Sequence, residues 1–121
     1  LAGGFLSGKY TRQNADTEGR RASYDFPPVD KEKAYDIIDV MQTIAQNKQA
    51  SVAQIALAWL LHQPVVTSVI VGSKKPEQLM DNLKSADVKL SAEELSQLNA
   101  VSELKPEYPG WMINRQMEDR K

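Results

Sequence analysis

VVTSVIVGSKKPEQLMDN, Val65 to Asn82, is the stretch that decides the fold. Its first eight residues, Val65 to Gly72, are short, β-branched and apolar at both parities of alternation, which is the pattern of a strand buried on two faces. A strand of that kind belongs inside a parallel sheet. Nothing else in the 121 residues reads convincingly as a strand, and a buried strand with no neighbour leaves a row of backbone donors and acceptors unsatisfied. The pattern therefore predicts that the pairing strands lie in sequence outside this chain, or in another chain.

Downstream of the predicted strand the composition turns polar. Gly72, Ser73, Lys74 and Lys75 fill a turn, and Pro76 at a first helical position opens a helix through Leu79, Met80 and Leu83. Lysines beside a helix N-terminus make a local anion site, and in an α/β sheet the ligand crevice lies outside the carboxyl ends of the strands. Lys75 stands at the expected N-cap, where its charge opposes the helix dipole, a local misfit of the sort found where function outranks stability. The plainer reading is a pair of solvated lysines. Gln78, Asp81 and Asn82, at i, i+3 and i+4, share one side of that helix and either converge on a polar ligand such as adenine or form an exposed polar face.

A second phosphate signal stands at the start, LAGGFLSGKYT, Leu1 to Thr11, where Gly3, Gly8 and Lys9 reproduce the spacing G-x-x-x-x-G-K. Tyr10 follows the lysine in place of the magnesium-binding Ser or Thr, no helix pattern follows, and no strand precedes, so a triphosphate-hydrolysing loop is not expected. A glycine turn presenting backbone N–H groups to some other phosphate fits. The chain begins at Leu1 rather than methionine and enters this turn at once, which predicts a chain cut from a longer one.

Between these motifs the organisation is mostly helical. Lys9 to Val29, ending in Phe26-Pro27-Pro28, reads as a long loop. From Asp30 to Lys48, Ala34, Ile37, Ile38, Met41, Ile44 and Ala45 mark one buried helical face. Ser51 and Gln54 form a capping box that opens a second, almost wholly apolar helix stopping before Pro64. A second box, Ser91 with Glu94, flanked by the staple pair Leu90 and Leu95, opens a helix carrying Leu95, Leu98 and Val101. Residues 103–121, with Pro106, Pro109 and Gly110, read as a tail in which Trp111 and Met112 pack on something.

Composition excludes several classes of function. Fifteen basic and 16 acidic residues nearly cancel, so no global field draws the chain to nucleic acid or to an anionic membrane. The absence of cysteine removes thiol chemistry and zinc ribbons and fits a reducing compartment, and the single histidine, His62, precludes a multi-histidine metal centre. No apolar run approaches the roughly 20 residues of a membrane span, and no signal peptide is visible. A soluble cytoplasmic protein of one domain at most is expected, with 41% apolar residues to build a core.

LAGGFLSGKY, then SVAQIALAWLL, then VTSVIVGSKKPEQLMDNL together resemble the aldo-keto reductases, in the order that family has them, over nearly the whole chain to about Ser102. The resemblance points to the branch that includes potassium-channel beta subunits and bacterial stress-related reductases. It implies a (β/α)₈ barrel that binds NADP(H) at the C-terminal face of its strands and reduces aldehydes or ketones to alcohols. A barrel of about 250 residues makes residues 1–102 its last third. Within that third, residues 1–29 would be a cofactor-side loop, 30–63 two helices, 65–72 the last strand and 76–102 further helices.

Carried over by residue, the resemblance implies that Leu1, Ala2 and Gly3, with Lys9 and Arg21, lie against the cofactor pyrophosphate. Gly72, Ser73 and Lys74 would hold the adenosine ribose and its 2′-phosphate, bordered by Gln78, Asp81 and Asn82. Lys74 would set the preference for NADPH, though many relatives have an arginine there and lysine gives only a point-charge contact. The family's catalytic Asp, Tyr, Lys and His all fall upstream, so none maps here, and Tyr10, Tyr24, Tyr35 and Tyr108 are not candidates. His62 is expected to close its helix, Trp59 to be core, and Trp111 to pack on the surface or border the substrate pocket. The implied partners are a small carbonyl substrate and the missing strands, with no nucleic acid and no membrane. Two rival readings are a cofactor-sensing, non-catalytic subunit of the same fold and a stand-alone helical binding module.

Overall fold

The computed structural model describes residues 1–13, 28–105 and 107–118. A kinked 3-10 segment, Ala2–Ser7, comes first. Helix α1 follows at Lys31–Lys48, α2 at Val52–Leu61, α3 at Pro76–Leu83, α4 at Ala92–Ser102 and α5 at Gly110–Glu118, with a 3-10 turn at Lys84–Asp87 after α3.

Each of the first four helices begins where local chemistry puts it. Asp30 caps α1, its Oδ1 accepting from the Lys33 N–H at 3.2 Å. Both predicted capping boxes form, Ser51 with Gln54 and Ser91 with Glu94. Pro76, which has no N–H, opens α3, the cap residue Lys75 makes no side-chain capping bond, and the Gln78 N–H is taken by the Lys75 carbonyl at 3.1 Å, which leaves the Glu77 N–H without a partner among the described residues. Gln49 ends α1 with φ 53°, the left-handed turn that redirects the chain into α2.

Packing converges on α2, whose residues Ala53 to Ala58 are all buried. α1 lies against α2, α4 and the N-terminal 3-10 segment, while α3 and the Lys84–Asp87 turn lie against α2. The larger apolar cluster joins Met41, Ile44 and Ala45 of α1 to Ile55, Ala56 and Ala58 of α2 and to Leu90 and Leu98. Polar bonds tie the same helices: Trp59 Nε1 donates to Asn99 Oδ1 at 2.7 Å, and Lys48 pairs with Glu94 at 3.0 Å. His62 closes α2 as expected, with Nδ1 2.7 Å from the Ala58 carbonyl and Nε2 accepting from the Leu90 N–H at 3.4 Å.

Two expectations are corrected. Residues 65–72 form no strand, and no strand element occurs among the described residues. Val65 is 91% and Ile70 99% exposed, the opposite of a central strand. The reason is physical: strand structure depends on hydrogen bonds from a neighbour, and no described residue lies alongside to supply them. The second correction concerns the tail, which carries α5. Prolines discourage helices only within them, and Pro109 stands just ahead of this one, its carbonyl accepting from the Met112 N–H at 3.0 Å. The side chain of Trp111 lies outside the described residues.

Among the described residues no helix is long and apolar enough to cross a membrane, and no group of three or more His, Cys, Asp or Glu side chains gathers to hold a metal.

Candidate functional site

The N-terminal glycine turn is held from below by aromatics. Phe5 is fully buried and Tyr10 nearly so, with ring centroids 5.6 Å apart, and Phe5 also lies 5.4 Å from the Tyr35 ring of α1. These rings, with Ala34 and Ile38, form a second apolar cluster. Above it the backbone runs left-handed at Ala2, Gly3 and Gly4, with φ of 49°, 66° and 91°. Alanine at such a φ is strained, a feature that concentrates where backbone geometry serves a ligand. The Leu1 carbonyl closes the turn by accepting from the N–H groups of Gly4 and Leu6.

Gly8 has another purpose. At φ 83° it meets the first turn of α2 so closely that a Cβ would lie 2.9 Å from Cβ of Val52. Its glycine is demanded by packing and conformation together. Lys9 is exposed, its Nζ 4.8 Å from the Tyr10 ring centroid in a cation–π contact. Arg12 then fastens the start of the predicted loop to α1, with ion pairs to Glu32 at 2.6 Å, Asp36 at 2.5 Å and Asp39 at 3.5 Å. The hydrogen bond to Glu32, together with the Glu32 and Asp36 charges, outweighs desolvation and raises the Arg12 pKa. Arg21 and Tyr24 lie outside the described residues.

The lysine turn is built differently. Gly72, Ser73, Lys74 and Lys75 are all exposed, and neither lysine side chain has a hydrogen bond or ion pair among the described residues. Gln78 reaches back to accept from the Lys74 N–H at 3.2 Å. A Cβ at Gly72 would meet nothing within 4 Å.

Asp81 and Asn82 diverge in their surroundings. Both Asp81 carboxylate oxygens are engaged by the first turn of α2: Ser51 Oγ donates to Oδ2 at 2.6 Å and Gln54 Nε2 to Oδ1 at 2.7 Å. This places a carboxylate at the positive end of α2. Asn82 is 7% exposed, and its side-chain amide has no hydrogen bond among the described residues. Buried amides almost always find partners, so an unpartnered one calls for a ligand or a water.

One helical turn, Ser51 to Gln54, thus receives both predicted segments, Gly8 through Val52 and α3 through Ser51 and Gln54. Sequence reading did not find this junction, because Ser51 and Asp81 are 30 positions apart and the capping box accounts for Ser51 locally. A separate cavity of about 170 Å³ lies among Leu6, Ile37, Met41, Leu57 and Leu98, with Leu1 as the one predicted site residue in its wall. Its apolar lining suits packing rather than charge.

Residues 1–103 match the family profile described as the Aldo/keto reductase family. The chain is 33% identical over 112 residues to a probable voltage-gated potassium channel subunit beta of Oryza sativa subsp. japonica, covering 88% of this chain and 34% of that protein. It is 33% identical over 101 residues to an uncharacterized oxidoreductase of Bacillus subtilis, covering 84% and 29% respectively. To an L-glyceraldehyde 3-phosphate reductase of Escherichia coli O157:H7 it is 34% identical over 105 residues, covering 82% and 30%. The chain therefore spans about a third of the length of the curated relatives it matches. With the family profile covering all but the last helix and its approach, the chain belongs to the aldo/keto reductase family, whose fold is the (β/α)₈ barrel.

Proposed function

We propose that this chain forms the dinucleotide-binding side of an NADP(H)-dependent reductase of aldehydes or ketones, as the C-terminal third of its barrel, with the catalytic group in the preceding part. The observation that carries the reading is the exposed, unpartnered pair Lys74 and Lys75 beside the uncapped N-terminus of α3. Two cations beside a helix N-terminus whose Glu77 N–H has no partner among the described residues suit a phosphate. The orphaned amide of Asn82 supports it further, since adenine presents both donors and acceptors on its edge.

In this reading Lys74 meets the 2′-phosphate as a point charge, with Gly72 and Ser73 against the ribose. Gln78 and Asn82 border ribose and adenine, and Asp81 fixes α3 on α2 so that they face the same ligand. The glycine turn at Leu1, Ala2 and Gly3, with Lys9 and Arg21, approaches the pyrophosphate. The bound nicotinamide supplies a hydride to the carbonyl carbon. This chain's residues bind and orient, and none of them handles the proton.

A second reading, a cofactor-sensing subunit without turnover as its main role, is favoured by the several relatives named as probable or putative channel beta subunits. Both readings need the same site. Titration with 2′,5′-ADP and with 5′-AMP, followed by chemical-shift changes, tests it in this chain. Lys74→Glu should weaken 2′,5′-ADP binding at least about tenfold more than 5′-AMP binding, the scale of one lost charge-assisted contact. Equal losses for both ligands would remove Lys74 from the 2′-phosphate.

A further inference from the structure

The junction between α2 and α3 is a closed hydrogen-bond network. Ser51 Oγ accepts from the Gln54 N–H at 3.2 Å, and Gln54 Oε1 accepts from the Ser51 N–H at 3.4 Å, which together make the capping box. The remaining donors of both side chains go to Asp81. Ser51 Oγ donates to Oδ2 at 2.6 Å, while Gln54 Nε2 donates to Oδ1 at 2.7 Å and to the Asp81 carbonyl at 2.9 Å. Gln54 is 6% exposed within this chain. Every one of these bonds joins residues of the chain itself, so the junction is made before any other part of the barrel is added, and further chain can only bury it more deeply.

A capping box does not need glutamine. Serine with glutamate three positions on caps a helix equally well, as Ser91 and Glu94 do at the start of α4. Glutamine differs from glutamate by its amide N–H groups, and at Gln54 those go to Asp81. The residue type at 54 is therefore matched to α3 rather than to its own helix. Among the described residues, every hydrogen bond from α3 to another helix passes through Asp81, which stands beside Asn82 and one turn beyond Gln78.

We infer that Ser51 and Gln54 are positioning residues of the proposed nucleotide site: through Asp81 they set how α3 presents Gln78 and Asn82, while touching no ligand themselves. This rests on the cofactor reading for the ligand, and on the network for the way the residues act. Asp81, with both oxygens taken, is the link and not a contact to the base. A satisfied network of this kind holds one arrangement, because turning α3 away leaves a buried amide and a carboxylate without partners.

Gln54→Glu in the full chain is the direct test. It keeps the capping box and suits the positive end of α2, but it replaces the donors with a carboxylate facing Asp81. Helical circular dichroism should be retained. The dissociation constants for 2′,5′-ADP and for 5′-AMP should both rise at least about tenfold, since both ligands carry the adenosine that Gln78 and Asn82 face. Titrations made well below each variant's melting temperature leave both constants unmoved by a change in stability alone. Adding Asp81→Asn returns a donor to the pair and should bring both constants back to within about threefold of the parent chain. Ser51→Asp, which caps as well as serine but sets a like charge against Asp81, should repeat the loss and carries the test if Gln54→Glu does not fold. Unchanged affinity in a folded variant overturns the inference. So does a loss that Asp81→Asn fails to repair, which would make Asp81 itself a ligand contact. Lys74→Glu separates this inference from the reading beneath it: a loss selective for 2′,5′-ADP there, with Gln54→Glu silent, ends the positioning role alone, whereas a parent chain that binds neither nucleotide ends both.

Discussion

The glycine turn at the N-terminus and the lysine turn before α3 look alike in sequence, both small and polar with lysine at the end, yet the molecule treats them oppositely. Around the first, Phe5 and Tyr10 are buried, Gly8 is pressed onto Val52 and Arg12 is clamped to three carboxylates. Around the second, Gly72 to Lys75 are exposed and touch little. The first turn is shaped in advance by its own packing. The second offers free charge on a well-anchored helix, since Asp81 bonds α3 to the start of α2. In the proposed reading, preorganised backbone and unpartnered cations are complementary ways of meeting one extended anion.

The sharpest way to break the contrast is to remove the ring beneath the first turn. Phe5 is 0% exposed and contacts two further rings, so Phe5→Ala should cost about 3–4 kcal/mol in urea unfolding. A loss below about 1 kcal/mol would mean that the turn is not anchored through this ring.

Gly8→Ala is the next largest. The left-handed φ of 83° and the 2.9 Å approach to Val52 both oppose a side chain, and together should cost about 2 kcal/mol. A double mutant with Val52→Gly, which removes the Cβ that is met at 2.9 Å, separates the two causes when it is compared with Val52→Gly alone. It should recover the clash and leave the conformational part, about 1 kcal/mol. Full recovery would show that the left-handed backbone imposes nothing.

What was legible in the sequence follows the same division between local and distant causes. Four helices could be read because their causes are local: Asp30, Ser51 and Ser91 cap within three residues, Pro76 sets its own φ, and the apolar face of α1 repeats every three or four positions. The strand at 65–72 could not be settled, because β-branching describes the surroundings a segment suits and not whether a neighbour is there. α5 was hidden by treating Pro109 and Gly110 as breakers when they precede the helix. At the candidate site, lysines and a helix start were visible locally. The link from Asp81 to Ser51 and Gln54, and the burial of Asn82, arise only once α3 lies on α2.

The shared scaffold has its own smaller signature in pH. Burial raises the Glu94 pKa, but the Ser91 N–H and the Lys48 ammonium outweigh it, leaving the carboxyl below its ordinary 4.5. A depressed carboxylate stabilises the fold fully above the ordinary value, and that contribution is lost as pH falls below 4.5 through the folded-state value. Glu94→Gln should therefore remove about 1 kcal/mol at pH 7 and make the stability profile flatter below pH 5. An unchanged acid limb would assign the loss at low pH to other carboxylates.

The smallest effect belongs to the second region and is the most diagnostic. Ile70→Ser deletes one of the most apolar side chains in the molecule, and in a central strand it would cost several kcal/mol by lost burial and cavity formation. Here Ile70 is 99% exposed, so the unfolding free energy of the chain should change by no more than about 0.5 kcal/mol. A loss above about 1 kcal/mol would mean that Ile70 is buried within the folded chain, and the contrast between an anchored first turn and an unpartnered second region fails.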